Sequence, residues 1–175
     1  MILPLFRKNA PSAAVFAIYN AIVAQSRQPR FYAEWSVPDT VTGRFDMISL
    51  HLALLFRRLR GEGPEPKQFS QSVFDLFFKD MDRSLREMGA GDLAVPKKIQ
   101  QMGNIFFGLL AALNQAMDRG DAEAVAEVLG RNILDDAASA NINELAAYLI
   151  EQDKYLAAQF AHTIIDGTIA FEAAA

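Results

Sequence analysis

The sequence lacks cysteine and has only two histidines among its 175 residues. Without cysteine, the chain holds no disulfide, no thiolate metal site and no cysteine nucleophile. His51 and His162 are too far apart in sequence to form the H-x-x-x-H or H-E-x-x-H pairs typical of zinc sites. Glycine-rich phosphate-binding motifs and the G-x-S-x-G motif of hydrolases are absent as well. We therefore expect no metal site, no cofactor and no recognisable catalytic motif.

The chain also lacks an excess of positive charge and a long apolar run. Its formal net charge of −4 argues against direct binding of nucleic acid. The uncharged run 47–56 is too short to span a membrane, and the run 99–117 is interrupted by Asn and Gln. The apolar start, residues 1–6, precedes Arg7 and Lys8, whereas a secretory signal has its basic residues first. We predict a cytoplasmic protein, with a peripheral contact at the inner membrane left open.

Hydrophobic residues recur with helical spacing along the whole chain, and no alternation typical of strands is apparent. We predict an all-α fold, a single-domain bundle of about five to seven helices over residues 1–175. Capping residues, glycines and prolines indicate where each helix begins and ends. The predicted helices are 11–27, 39 or 40 to 60, 69–88, 96–117, 121–129, and a last one from 141 or 143 toward 169, with a connector at 31–38 and a loop at 61–67.

The second predicted helix carries polar residues that allow two interpretations. His51 lies among Met47, Leu50 and Leu54, which favours a neutral histidine of the core over a catalytic or metal-binding one. Basic side chains near a helix end offset the negative end of the helix dipole. The alternative is a basic patch for an acidic partner or for anionic lipid head groups. The basic residues concerned are Arg57, Arg58 and Arg60.

A cluster of charged residues follows on the third predicted helix, between Asp80 and Glu87. Residues four apart face each other on a helix, so most of these charges can form local ion pairs. A solvated charged face is the favoured interpretation, and a binding role is the alternative. The predicted pairs are Asp75–Lys79, Asp82–Arg86 and Arg83–Glu87. The charge along the chain is divided as well, with a net +4 over residues 1–98 and −8 over residues 99–175.

Two segments of the sequence carry a family resemblance. The first is the string DMDRSLREMGAGD at 80–92, followed by Val95, Lys97 and Met102. The second runs from Tyr19 through VPDT at 37–40 and GRFD at 43–46 to the LHL at 50–52 and the arginines after it. Together they resemble the ubiquinol–cytochrome c chaperone family. The resemblance covers about residues 12–118 and fades beyond Asp118, where a helical extension over 119–170 is predicted. The lack of a long N-terminal extension favours a bacterial member.

The resemblance implies a non-enzymatic chaperone that assembles ubiquinol–cytochrome c reductase. Such a protein would hold newly made cytochrome b or another early subunit. The mitochondrial relatives act with a small partner protein and near the ribosome, so both are candidate partners here. The residues expected to contact a partner are Asp39, Arg44, Asp46, His51, Arg57, Arg58, Asp80, Asp82, Arg83, Arg86, Glu87, Asp92 and Lys97.

Two other functions compete with the chaperone. A helical carrier of a small hydrophobic ligand, such as a quinone, would need a large closed apolar cavity. A chaperone would need an open groove or an apolar surface patch instead. An enzyme could only use His51 with carboxylates such as Asp46 and Asp82, and it would need a cleft that brings them together.

Overall fold

The computed structural model describes residues 11–133 and 141–172. Within these residues the chain forms eight helices and no strand, which confirms the predicted all-α fold. Six of the helices have 11 or more residues and two have five. The apolar residues 1–6 lie outside the described residues. The helices are α1 (Ala13–Ser26), α2 (Pro29–Ala33), α3 (Val41–Leu59), α4 (Pro64–Glu87), α5 (Val95–Asp118), α6 (Ala122–Asn132), α7 (Ile142–Ala157) and α8 (Ala161–Ile165).

Three helices begin at side-chain caps. The hydroxyls of Ser12 and Thr40 and the carboxylate of Asp121 each accept a hydrogen bond from the backbone N–H three residues later, at 3.0–3.2 Å. Each bond satisfies one of the N–H groups that a helix start leaves without an intrahelical partner. The caps predicted at Thr40 and Asp121 are therefore confirmed.

Helix α3 lies at the centre of the bundle and divides its core into two parts. On one side Leu52 packs with Phe77 in a cluster built mainly from α1, α3, α4 and α8, with Phe106 of α5. On the other side Leu54 packs with Leu109 in a cluster built mainly from α3, α5, α6 and α7, with Phe31 of α2. Burying a Leu or Phe side chain contributes about 1.5–3 kcal/mol, so a helix buried on both sides anchors the whole fold.

Two helix starts differ from their predicted positions. Part of the predicted connector 31–38 is helical, because Pro29 sets the backbone for the first turn of Pro29–Ala33. Helix α4 begins at Pro64, five residues before the predicted start at 69. Gly63 precedes it with a φ of 109°, and proline occupies its first turn, so the predicted loop is mostly a helix start.

Two helix ends differ as well. Gly130 does not end α6, which continues to Asn132, because this glycine is buried where α6 packs against its neighbours. The last long helix ends at Ala157 instead of reaching 169. The backbone of Phe160 is extended, and α8 then turns so that Ile164 is buried against α1 and α4. Apolar spacing alone predicts a single helix where the structure has two, α7 and α8.

Candidate functional site

A groove follows the solvent side of α4. The start of α1 and the first half of α5 form its walls, and the side chains of α4 form its floor. Its volume is about 1520 Å³, and it is open to solvent along one side. Residues along its length include Val15, Phe69, Phe74, Asp82, Arg86 and Ile99. The described residues therefore present an elongated surface in which apolar side chains alternate with charged ones.

Helix α5 exposes an aromatic side chain beside the groove. Phe107 is 55% exposed. The ring of Phe107 lies 5.3 Å from that of Phe74, which in turn lies 4.5 Å from that of Phe78. The whole run 99–117 contains no charged residue. We call Phe74, Phe78 and Phe107 the apolar wall.

The charged cluster at the C-terminal end of α4 is paired internally. Arg86 bonds the carboxylates of Asp82 and Asp92, each at 2.6 Å. Arg83 bonds Asp80 and lies 3.8 Å from Glu87. The hydrogen bonds that Arg86 donates to Asp82, together with the charges of Asp82 and Asp92, raise the pKa of Arg86. The predicted solvated charged face is confirmed for the pairs Asp82–Arg86 and Arg83–Glu87, and the structure adds Asp92.

Asp80 also fastens α4 to α1. The Tyr19 hydroxyl donates a hydrogen bond of 2.9 Å to its carboxylate across 61 residues of sequence. Burial, together with this carboxylate, raises the pKa of Tyr19, so the phenol stays protonated and able to donate. Asp80 therefore joins two helices besides pairing with Arg83. Helical spacing gives no sign of a partner so distant.

His51 lies in the core. Its Nδ1 is 2.7 Å from the Met47 carbonyl oxygen, which can only accept, so Nδ1 carries the hydrogen. Its Nε2 then accepts from the Tyr148 hydroxyl at 2.8 Å, and that hydroxyl accepts from the Gln25 amide at 2.8 Å. Desolvation lowers the pKa of His51 to about 4, although the bond to Met47 opposes the shift. The predicted neutral core histidine is confirmed.

Asp46, like His51, lies below the surface. Both side chains are buried among the helices and do not line the groove. The combination of His51, Asp46 and Asp82 considered for an enzyme is not assembled, because Asp82 lies at the groove while the other two are inside the core. A partner at the surface therefore does not reach the predicted contact residues His51 and Asp46.

Arg57 joins three helices at the far end of α3. It donates to Asp153 of α7 at 3.0 and 3.1 Å, and to Asp118 and Asn114 of α5 at 2.9 Å each. Only 9% of its side chain is exposed. Hydrogen bonds from Arg60 and Arg57 lower the pKa of Asp118 to about 2. We call these four side chains, Arg57, Asp118, Asp153 and Asn114, the arginine clamp.

The clamp gives a prediction for stability. Replacing Arg57 by Gln leaves two carboxylates without their shared cation, and hydrogen bonds to charged groups contribute about 1.5–3 kcal/mol each. We expect the free energy of unfolding to fall by about 2 kcal/mol in urea titrations. The matched control is Arg119→Gln, since Arg119 is exposed and forms no ion pair within the described residues. A loss no larger than that of the control would contradict the clamp.

The other predicted contact residues lie in separate places. Arg58 donates to the Gln159 carbonyl and pairs with Glu62, so it joins α3 to the segment after α7. Asp39 and Arg44 pair with each other at 2.8 Å at the start of α3. The structure thus brings together six of the predicted residues, at the C-terminal end of α4, and disperses the others. The six are Asp80, Asp82, Arg83, Arg86, Glu87 and Asp92.

Two further properties bear on the class of site. Over residues 11–133 and 141–172, no three His, Asp or Glu side chains are grouped so as to hold a metal ion. Among the described helices, none is both long and apolar enough to cross a bilayer. The fold and the site therefore define an all-helical domain with an open groove bordered by apolar and charged side chains.

The chain belongs to the ubiquinol–cytochrome C chaperone family. Residues 33–171 match the model of that family. The match confirms the resemblance noted from the motifs at 37–52 and 80–92. It also includes α6, α7 and α8, which follow the segment where the resemblance was clear.

Individual relatives agree with the family assignment. The ubiquinol-cytochrome-c reductase complex assembly factor 1 of Xenopus laevis is 22% identical over 121 residues, which are 69% of this chain and 60% of that protein. The human protein of that name is 22% identical over 146 residues, 82% of this chain and 48% of that protein. The crystal structure of the Cbp3 homolog from Brucella abortus is similar with a TM-score of 0.86 and 39% identity, over 94% of this chain and 91% of that one. The chain thus spans about half to three fifths of the length of the animal relatives.

Proposed function

We propose that this chain is an assembly chaperone for ubiquinol–cytochrome c reductase, and that its groove holds a newly made subunit, cytochrome b or another early one. Membership of the chaperone family supports a role other than catalysis. The relatives in Xenopus laevis and in humans are assembly factors of that complex by name. We place the protein on the cytoplasmic side, where it meets the client at the membrane.

The observation that carries the proposal is the apolar wall beside the groove. Phe107 remains 55% exposed, and Phe74 and Phe78 are only half-buried, although aromatic side chains usually bury most of their area. Helix α4 has 24 residues, which corresponds to about 36 Å of helix. That length is close to the bilayer hydrocarbon core of about 30 Å, so the groove can accompany one membrane-spanning helix over its length. Such a client helix would cover apolar surface that otherwise faces water.

The charged cluster at the end of the groove suits the flanks of such a client. Membrane-spanning segments carry basic residues at the cytoplasmic end. Asp82, Glu87 and Asp92 can accept such cations, while Arg83 and Arg86 can meet acidic groups. Because Arg86 pairs with both Asp82 and Asp92, Asp82 can turn to a client cation while Arg86 keeps Asp92.

A quinone carrier is the weaker candidate. A small apolar ligand in this groove would stay in contact with water along the open side, whereas binding sites for such ligands bury most of the ligand surface. A small partner protein or the ribosome remains a proposed second contact. The exposed pair Asp39–Arg44 is the predicted contact site that lies on the surface apart from the cluster, whereas Lys97 follows the turn next to it.

The test is capture of the client from native membranes in mild detergent with a tagged chain. The wild-type protein should co-purify with a subunit of the reductase. Phe107→Asp should lower the recovered amount about tenfold or more, because it places a charge in the apolar wall. Phe160→Asp is the matched control, since Phe160 is also exposed but its ring contacts His162 and not the aromatic side chains of α4. Recovery of no reductase subunit by the wild-type protein would refute the proposal.

The charged cluster has its own prediction. Exchanging the two charges, with Asp82→Arg and Arg86→Asp in one variant, preserves a local pair but reverses the pattern at the rim. Rim charges act mainly on the association rate, so we expect capture to weaken several-fold and to depend less on salt. Circular dichroism should show unchanged helicity. Loss of helicity would instead show that the cluster serves the structure.

A further inference from the structure

The turn between α4 and α5 exposes apolar side chains at the end of the groove. Leu93 is 97% exposed and Met88 is 54% exposed. The turn follows directly on Arg86 and Glu87, which line the groove. Leu93 buries almost nothing within the described structure, and Met88 leaves about half of its surface exposed. Their exposure has no explanation in the packing of the bundle.

Two basic side chains next to this turn are not paired with an acidic side chain of the described structure. Lys97 and Lys98 are exposed in the first turn of α5 and form no ion pair within the described residues. The two acidic residues nearby are engaged, Asp92 with Arg86 at 2.6 Å and Glu87 with Arg83 at 3.8 Å. The positive charge of the two lysines therefore faces solvent.

The position of the lysines is unfavourable for the helix itself. The N-terminal end of a helix carries a partial positive charge, so acidic residues stabilise it and basic residues destabilise it. The first turn of α5 has no acidic residue. Helix stability thus does not account for Lys97 and Lys98, and an anionic partner would.

We propose that this turn docks on the surface of an anionic lipid bilayer. Leu93 and Met88 enter the head-group region, and Lys97 and Lys98 bind lipid phosphates. Apolar side chains beside basic ones are the combination that binds peripheral proteins to anionic membranes. Docking at this turn sets the end of the groove against the membrane surface, where an apolar segment leaves the bilayer. The inference goes beyond the chaperone proposal and stands without it.

Vesicle binding of the purified chain tests the proposal. The protein should sediment with vesicles that contain phosphatidylglycerol, and less with pure phosphatidylcholine or at high salt. Replacing Lys97 and Lys98 by Glu should lower the partition constant at least about tenfold, since each lysine near an anionic surface strengthens binding several-fold. The matched control carries Lys67→Glu and Arg119→Glu, the same charge change at the opposite ends of α4 and α5.

Fluorescence locates the inserted residue. Leu93→Trp should show a blue shift of its emission with phosphatidylglycerol vesicles, while Phe160→Trp should not. Equal losses of binding in the Lys97/Lys98 variant and in its control would overturn the proposal, because attraction would then depend on net charge alone. An unshifted emission at position 93 with bound vesicles would overturn it as well. Client capture reduced by Leu93→Ser without any change in vesicle binding would assign the turn to a protein partner instead.

Discussion

Replacing Gly43 by alanine should cost the protein about 3 kcal/mol of its free energy of unfolding, the largest single-methyl effect we expect. Gly43 lies in the first turn of α3, where the chain from Val37 and Pro38 crosses closely above it. A Cβ at this position would overlap the Pro38 carbonyl oxygen and lie 3.0 Å from the carbonyl carbon. Both obstacles are backbone atoms, so no side chain can rotate away. The start of α3 or the crossing segment has to move, and both carry core residues.

The measurement is urea unfolding followed by circular dichroism. Gly108→Ala in α5 is the matched control, because no atom lies within 4 Å of the Cβ it would add. Alanine is favoured over glycine inside a helix by about 1 kcal/mol, so the control should be as stable as the wild type or more stable. Equal unfolding midpoints for the two variants would mean that Gly43 is not held by the crossing segment.

The second large effect concerns pH and His51. Burial lowers the pKa of His51 to about 4 in the folded protein, whereas an unfolded histidine titrates near 6.5. Between these two values the unfolded chain binds a proton that the folded chain does not bind. The contribution of neutral His51 to the free energy of unfolding is therefore fully present above about pH 6.5. It is lost as the pH falls toward 4. The loss between pH 7 and pH 5 should be about 2 kcal/mol.

A His51→Gln variant separates this effect from other titrations. It lacks the titrating group, while the exposed His162 and all the carboxylates remain. We expect the variant to be less stable than the wild type at pH 7, because Tyr148 and Met47 lose part of their hydrogen bonding. Its stability should decline by about 2 kcal/mol less than that of the wild type between pH 7 and pH 5. Parallel declines would show that His51 takes up its proton without unfolding the protein.

Local patterns in the sequence were sufficient to predict most of the helices. Apolar spacing and capping residues located α1, α3 and α5 to within a few residues, since both signals act over one or two helical turns. The same local logic predicted a buried His51, because its neighbours on α3 are apolar on most sides. It failed between α7 and α8, where the apolar spacing continues although the chain turns at Phe160.

Contacts between distant segments could not be predicted in this way. Tyr148 reaches His51 across 97 residues, and Asp153 reaches Arg57 across 96. Helical spacing states which face of a helix is polar but not which helix it meets. For the arginines at the end of α3, the sequence therefore predicts either a favourable interaction with the helix dipole or a basic patch for a partner. In the structure, Arg57 and Arg60 instead form ion pairs with Asp118. Part of the acidic charge of residues 99–175 thus compensates basic residues of the first half of the chain.

The groove was predictable only in part. The family motif at 80–92 indicated the charged cluster, and the structure places that cluster at one end of the groove. The apolar wall depends on how α5 lies against α4, because Phe107 is exposed while its neighbour Phe106 is buried. Adjacent residues on a helix point in different directions. Composition alone does not tell which of the two phenylalanines faces solvent.

The measurement that tests the central proposal most directly is the ubiquinol–cytochrome c reductase activity of membranes from cells that lack this chain. Quinol-dependent reduction of cytochrome c by their membranes should be lost, and it should return when the wild-type chain is restored but only weakly with Phe107→Asp. Another respiratory complex in the same membranes serves as the internal standard and should keep its activity. Full reductase activity in cells without the chain would contradict its proposed role as an assembly chaperone.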